Sequence, residues 1–171
     1  MSATEIFDVV DERDCVIGRA SRAEVHARRL RHRAVHIFLF NSRGEIYLQK
    51  RSATKDSFPL CYDSSASGHL DAGEDYDACA KRELYEELDL TAGPLIRLFK
   101  IDACAETGQE FVWVYRLDGD LVPVPNPAEI ESGRYWSLAE VRAALADRPK
   151  EFARSFRHIF AHFERLPAHA K

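Results

Sequence analysis

Apolar and polar residues alternate through residues 5–18, EIFDVVDERDCVIG, on either side of a polar stretch at 11–14, and this period of two predicts a small β-hairpin. Ser21-Arg22-Ala23-Glu24 has the form of a capping box, so a short helix is expected to start at Ser21 and carry residues 25–30. Two runs rich in β-branched and aromatic residues follow, AVHIFLFN at 34–41 and EIYLQKR at 45–51, joined by Ser42-Arg43-Gly44 as a second hairpin. Residues 52–66 hold no sustained period and contain Pro59, which reads as a loop leading into a short strand that delivers Gly68. After a helical stretch, residues 95–103 and 110–117 return to strand character, with Phe111, Trp113 and Tyr115 alternating in the second. The proline-bearing run 123–127 is a loop, 131–136 a last strand, Ser137 a cap for the helix LAEVRAAL, and 151–164 a closing amphipathic helix. Strands placed before, between and after helices suggest α/β/α layering.

A chain of 171 residues is expected to form one domain, long enough to bury about 70% of its unfolded surface. Residues 1–20 would be a hairpin extension and the C-terminal helix would lie near 150–165. A net charge of −4 gives no global footprint for nucleic acid or anionic membrane. No apolar run approaches the roughly 20 residues that span a bilayer, and no signal-peptide pattern opens the chain, so a cytoplasmic location is expected. Cys15, Cys61, Cys79 and Cys104 are far apart with no C-x-x-C pair, and read as four free thiols.

Chemistry concentrates in residues 68–90, GHLDAGEDYDACAKRELYEELDL. On a helix Glu83, Glu86 and Glu87 stand at i, i+3 and i+4, within roughly 60° of one another around the axis. Like charges at those spacings repel, and a hard divalent cation is the natural compensation. Arg82 can orient one of these glutamates through a bidentate pair, and Glu74 in the preceding loop is either a further ligand or a cap on backbone amides. Phosphates would need positive charge opposite the metal, which Arg51 or Lys55 can supply.

The offsets from Gly68 through Glu74, Arg82-Glu83-Leu84, Glu86-Glu87 and Leu90 resemble the signature of the Nudix hydrolases, a loop-helix-loop that holds Mg²⁺ on a diphosphate. One position departs: Asp89 stands where that family usually has glycine, and Asp is among the few other residues that enter the left-handed conformation found there. The resemblance implies an α/β fold, an α/β/α sandwich with a mixed, curled sheet. It also implies Mg²⁺-dependent hydrolysis of a nucleoside di- or triphosphate to a monophosphate, with Mn²⁺ an acceptable substitute. Glu83, Glu86 and Glu87 would bind metal, joined by Glu74 if it is a ligand rather than a cap. Arg51 and Lys55 would hold phosphates, with Arg82 in support, and Glu86 or Glu110 would act as base. The expected partner is a small nucleotide, not a nucleic acid or a membrane.

His26, His32, His36 and His69, with residues 32–55 and the SGH before the signature, are similar to the isopentenyl-diphosphate isomerase branch of the same superfamily. That likeness implies a second metal at His32, His69 and Glu110. Yet the position of the isomerases' proton-handling cysteine is Ser67, the partner of Glu110 two residues earlier is Gly108, and His26 lies one residue off. An isomerase and a non-catalytic nucleotide-binding module therefore stand as alternatives to the hydrolase.

Overall fold

The computed structural model describes residues 5–91 and 93–167. Residues 1–4 of the expected N-terminal extension lie outside that range. Strands β1 (Ile6–Val10) and β2 (Val16–Ser21) form the first hairpin as a sheet of their own, followed by α1 (Arg22–Arg28). Ser21 caps α1 by accepting from the Glu24 amide. The helix is shorter than expected, because Arg29 takes a left-handed conformation and ends it before Leu30.

A seven-stranded sheet contains β3 (His32–Phe40), β4 (Ile46–Arg51), β5 (Tyr62–Asp63), β6 (Ala66–His69), β7 (Ile96–Ile101), β8 (Glu110–Asp118) and β9 (Ile130–Trp136). The main path runs β5-β4-β3-β8-β7, while β6 pairs with β3 and β9 with β4. β3 and β8 are parallel with His32 opposite Glu110, and the other pairs are antiparallel, so the sheet is mixed.

Alternation along β3 divides two cores. Val35, Ile37 and Leu39 face α2 (Tyr76–Leu88), where they pack with Leu84 and Leu88. Ala34, Phe38 and Phe40 face the other way, onto Phe156, Ile159, Phe160 and Phe163 of α4 (Arg154–Arg165). Val141 and Ala144 of α3 (Leu138–Asp147) join this second layer. Each fully buried phenylalanine contributes about 1.5–3 kcal/mol of burial free energy, so both faces of the sheet are firmly covered. The result is the α/β/α sandwich with a mixed sheet.

The second hairpin differs from its sequence reading. β3 and β4 pair only at Phe40 and Ile46 beyond their turn, and then part. Ser65 enters the gap: its buried hydroxyl donates to the Tyr47 carbonyl at 2.6 Å and accepts from the Leu39 amide at 2.8 Å. β6 then pairs with the first half of β3, and β9 takes one edge of β4. This splay brings Ser67 and Gly68 beside α2. The two-residue β5, inside the region expected to be loop, follows from the same rearrangement.

Candidate active site

Asp75 caps α2 by accepting from the Ala78 amide at 2.9 Å, and Asp89 ends it at φ 53° and ψ 36°, the left-handed conformation anticipated for this departure from glycine. Beyond it, the proline-bearing loop turns back onto the helix. The Val124 and Asn126 amides donate to the Leu88 and Glu87 carbonyls, both at 2.8 Å, and the Asn126 side chain donates to the Glu86 carbonyl at 3.1 Å. Carbonyls that a helix end leaves unpaired are thus satisfied by a segment that sequence alone showed only as a linker.

The face of α2 turned toward β6 carries the three glutamates. Glu87 is buried, accepting from Gln49 Nε2 at 2.8 Å and the Ser67 amide at 3.0 Å, with Lys55 Nζ 3.7 Å away. Glu83 lies against Gly68 so closely that a Cβ there would sit 2.0 Å from its carboxyl carbon. That close approach accounts for glycine at the head of the motif. Glu86 is half exposed at the rim. Burial pushes the Glu83 and Glu87 carboxyls above the usual range; Glu87 adds to the effect at Glu83, while Arg82 opposes it there and Lys55 opposes it at Glu87. Two buried carboxyls with too little compensation, beside a third at the surface, are a donor set suited to a hard divalent cation.

Arg82 binds Glu74 bidentately, at 2.9 and 2.8 Å, and its other nitrogen reaches Glu83 at 2.6 Å and Glu86 at 3.1 Å. It also donates to the His69 carbonyl. The fork expected for one of the helix glutamates is therefore spent on Glu74, which also accepts from the Asp71 amide and does not line the cleft. Lys55 is buried against Glu129 and faces the cleft with Glu87. Arg51 instead donates to Asp63 and to the Ser57 carbonyl in a neighbouring depression. Gln49, Asn126 and Glu129 join the site although no motif marks them. Their only sequence signal is a polar residue inside or beside an apolar strand.

The cleft occupies about 360 Å³ and the neighbouring depression about 320 Å³, with β6 between them. Glu110 lies in the second. It is hydrogen-bonded to His69 Nε2 at 3.0 Å, and His32 Nε2 stands 3.6 Å away. Burial raises the Glu110 carboxyl, but the two histidines outweigh it and hold the group far below its usual range. His26 completes the cluster, with one ring nitrogen from each of His26, His32 and His69 within 4.8 Å of one another. Burial, then the neighbouring imidazoles, lower His26 to about 4. Phe7 from the N-terminal hairpin stacks on His69 at 4.9 Å and on His32 at 5.8 Å, while His26 stays exposed. His32 Nδ1 lies 2.9 Å from the Leu30 carbonyl, so it carries a proton, while buried Nε2 faces Glu110 at 3.6 Å and makes no hydrogen bond with any described residue.

A mixed sheet lies between helical layers, with a carboxylate-lined cleft where one helix meets a glycine-bearing strand, a donor set that suits a divalent cation. The chain belongs to the Nudix family: residues 30–156 match the NUDIX domain model, and the activity of the class is hydrolysis at pyrophosphate bonds. A Nudix hydrolase of Deinococcus radiodurans is 34% identical over 144 residues, covering 83% of this chain and 84% of that protein. An isopentenyl-diphosphate Delta-isomerase of Nocardia farcinica is 37% identical over 151 residues, 85% of this chain and 86% of that one, which fits the branch read from the histidines. The crystal structure of DR0079 from Deinococcus radiodurans superposes with a TM-score of 0.76 at 32% identity, covering 84% of this chain and 90% of that one. Among the described residues, no helix is long and apolar enough to cross a membrane.

Proposed function

We propose that this chain is a Mg²⁺-dependent hydrolase that cleaves the phosphoanhydride bond of a nucleoside di- or triphosphate and releases a nucleoside monophosphate. The observation that carries this reading is the burial of Glu83 and Glu87 side by side, with their carboxyls raised and Glu86 on the same face. Glu83, Glu86 and Glu87 would hold the metal. When bound, it neutralises charge on phosphate oxygens and eases deprotonation of a water. Arg82 positions Glu83 and Glu86 by bridging them to the Glu74 loop, so Glu74 acts as an anchor for the arginine rather than as a ligand. Lys55, facing the cleft, is placed to meet a phosphate, while Arg51 can serve only a substrate that extends into the second depression. Glu86, exposed at the rim, is the better base. Glu110 is already paired with histidines and lies in the other depression.

The His26–His32–His69 cluster favours a second reading, in which a further cation sits beside Glu110. His32 Nε2, which makes no hydrogen bond with any described residue, and the nearby ionised carboxylate suit one. An isomerase would need a proton-transfer group where Ser67 stands, and a serine hydroxyl ionises too far from neutrality for that role. Incubating the protein and Mg²⁺ with nucleoside di- and triphosphates, a nucleotide sugar and isopentenyl diphosphate, with products separated by chromatography, tests both readings. Monophosphate from the nucleotides is the expected result. Turnover of isopentenyl diphosphate alone, to its isomer, would reverse the assignment.

A further inference from the structure

The loop at 52–61, between β4 and β5, holds two bulky residues in the left-handed region, Phe58 at φ 50° and Leu60 at φ 60°. That conformation is costly for side chains of their size, and more so for Phe58, because Pro59 drives the residue before it toward extended backbone. The loop is fixed there from both ends. The Cys61 amide donates to the Phe58 carbonyl at 3.2 Å, the Leu60 amide to the Arg51 carbonyl at 3.1 Å, and the Arg51 amide to the Cys61 carbonyl at 2.9 Å. Arg51 Nε donates to the Ser57 carbonyl, and Arg22 pairs with Asp56 at 2.7 Å. The strain does not serve the core: Phe58 and Leu60 are 39% and 46% exposed, and neither belongs to any of the three hydrophobic clusters. It places the Phe58 ring on the wall of the second depression, and strained backbone of this kind gathers at ligand clamps.

That depression is otherwise polar. Among the described residues that line it, Ala34 and Phe58 have the only apolar side chains, set among groups such as Arg51, Arg154, His36 and Thr107. An aliphatic tail would strip water from those groups and offer them no partner. A nucleobase meets both needs, with an apolar face for the ring and a hydrogen-bonding edge for the polar wall. Buried His36 has Nδ1 engaged by Ser64 Oγ at 2.8 Å, so Nε2 is the nitrogen it can offer that edge. The depression also runs into the glutamate cleft, since Lys55, Ser67, Gly68 and His69 line both. We propose that the second depression is the nucleoside subsite, with the base stacked on Phe58 and the phosphates passing Lys55 into the cleft. The subsite rests on the proposed hydrolysis and gives Arg51 a role there: it braces the loop that carries the ring.

The test is proton NMR of the four ribonucleoside monophosphates titrated into the full chain with Mg²⁺, alongside steady-state hydrolysis. At least one base should show upfield-shifted ring protons with the wild type. Phe58→Tyr should keep that shift, and Phe58→Leu, which keeps bulk without a ring current, should lose it. For the nucleotide cleaved fastest, Phe58→Ala should raise KM about tenfold or more while kcat stays within about twofold. Base protons that do not shift with the wild type, or that shift equally with Phe58→Leu, overturn the subsite. An unchanged KM in Phe58→Ala also overturns it and leaves the hydrolase standing. A wild type that stacks the base yet cleaves no nucleotide overturns the hydrolase instead and supports the subsite. Should Phe58→Ala fail to fold, Phe58→Leu decides alone.

Discussion

Replacing Glu87 by glutamine separates what the buried carboxylate does for catalysis from what it costs the fold. The amide oxygen of the new side chain would still accept from the Ser67 amide and Gln49, so the local hydrogen bonds survive. The charge is lost, and with it one metal ligand and the 3.7 Å approach of Lys55, which keeps Glu129 as a partner. Loss of one preorganised electrostatic contact costs about 3–4 kcal/mol in the transition state, so turnover should fall roughly 10²–10³-fold. Stability should move the other way. Burial raises the Glu87 carboxyl, so its ionised form is disfavoured in the native state, and each tenfold change in that equilibrium is about 1.4 kcal/mol. Without metal at mildly alkaline pH, Glu87→Gln should therefore be more stable than the wild type by on the order of 1–3 kcal/mol in urea denaturation. A variant that is less stable yet fully active would show that this carboxylate neither holds the metal nor burdens the fold.

The same carboxyls predict a pH dependence. Their raised pKa values mean that the native state holds protons the unfolded chain has released, so stability falls as pH rises through that window. Histidines depressed by burial, such as His26 and His69, act oppositely but only below about pH 6.5. Between about pH 6.5 and about 8 the melting temperature in chelator should thus decline, and Mg²⁺ should restore it; a flat profile by scanning fluorimetry contradicts this. Gly68→Ala should push Glu83 out of place, lowering stability by about 1–3 kcal/mol and weakening Mn²⁺ binding measured by electron paramagnetic resonance. Ser65→Ala leaves the Leu39 amide without its acceptor and should cost about 1–3 kcal/mol in urea unfolding, with wild-type stability as the contrary result.

Periodicity was enough to locate most elements, because Val35, Ile37 and Leu39 alternate with Ala34, Phe38 and Phe40 and so announce a strand covered on both faces. The helix glutamates and the left-handed Asp89 were equally legible, since both depend on local offsets. What stayed hidden is non-local. Nothing in the spacing of 34–41 and 45–51 reveals that Ser65 will enter between the strands, or that β6 will replace β4 as the partner of β3. For the same reason Gln49 could not be linked to Glu87, nor Asn126 to the end of α2, and it could not be foreseen that Lys55 reaches the glutamate cleft while Arg51 lines only the second depression. Glu110 was recognised by resemblance, but its commitment to His69 depends on β3 and β8 lying parallel in one register.

Hydrolysis of a nucleotide phosphoanhydride in the glutamate cleft on α2 is tested most directly by phosphorus NMR of nucleoside di- and triphosphates turned over with Mg²⁺ in ¹⁸O-enriched water. The expected result is nucleoside monophosphate with ¹⁸O in one of the released phosphoryl products, and no conversion once the metal is chelated. Nucleotides that remain intact in Mg²⁺, or that are cleaved equally well in chelator, would contradict it.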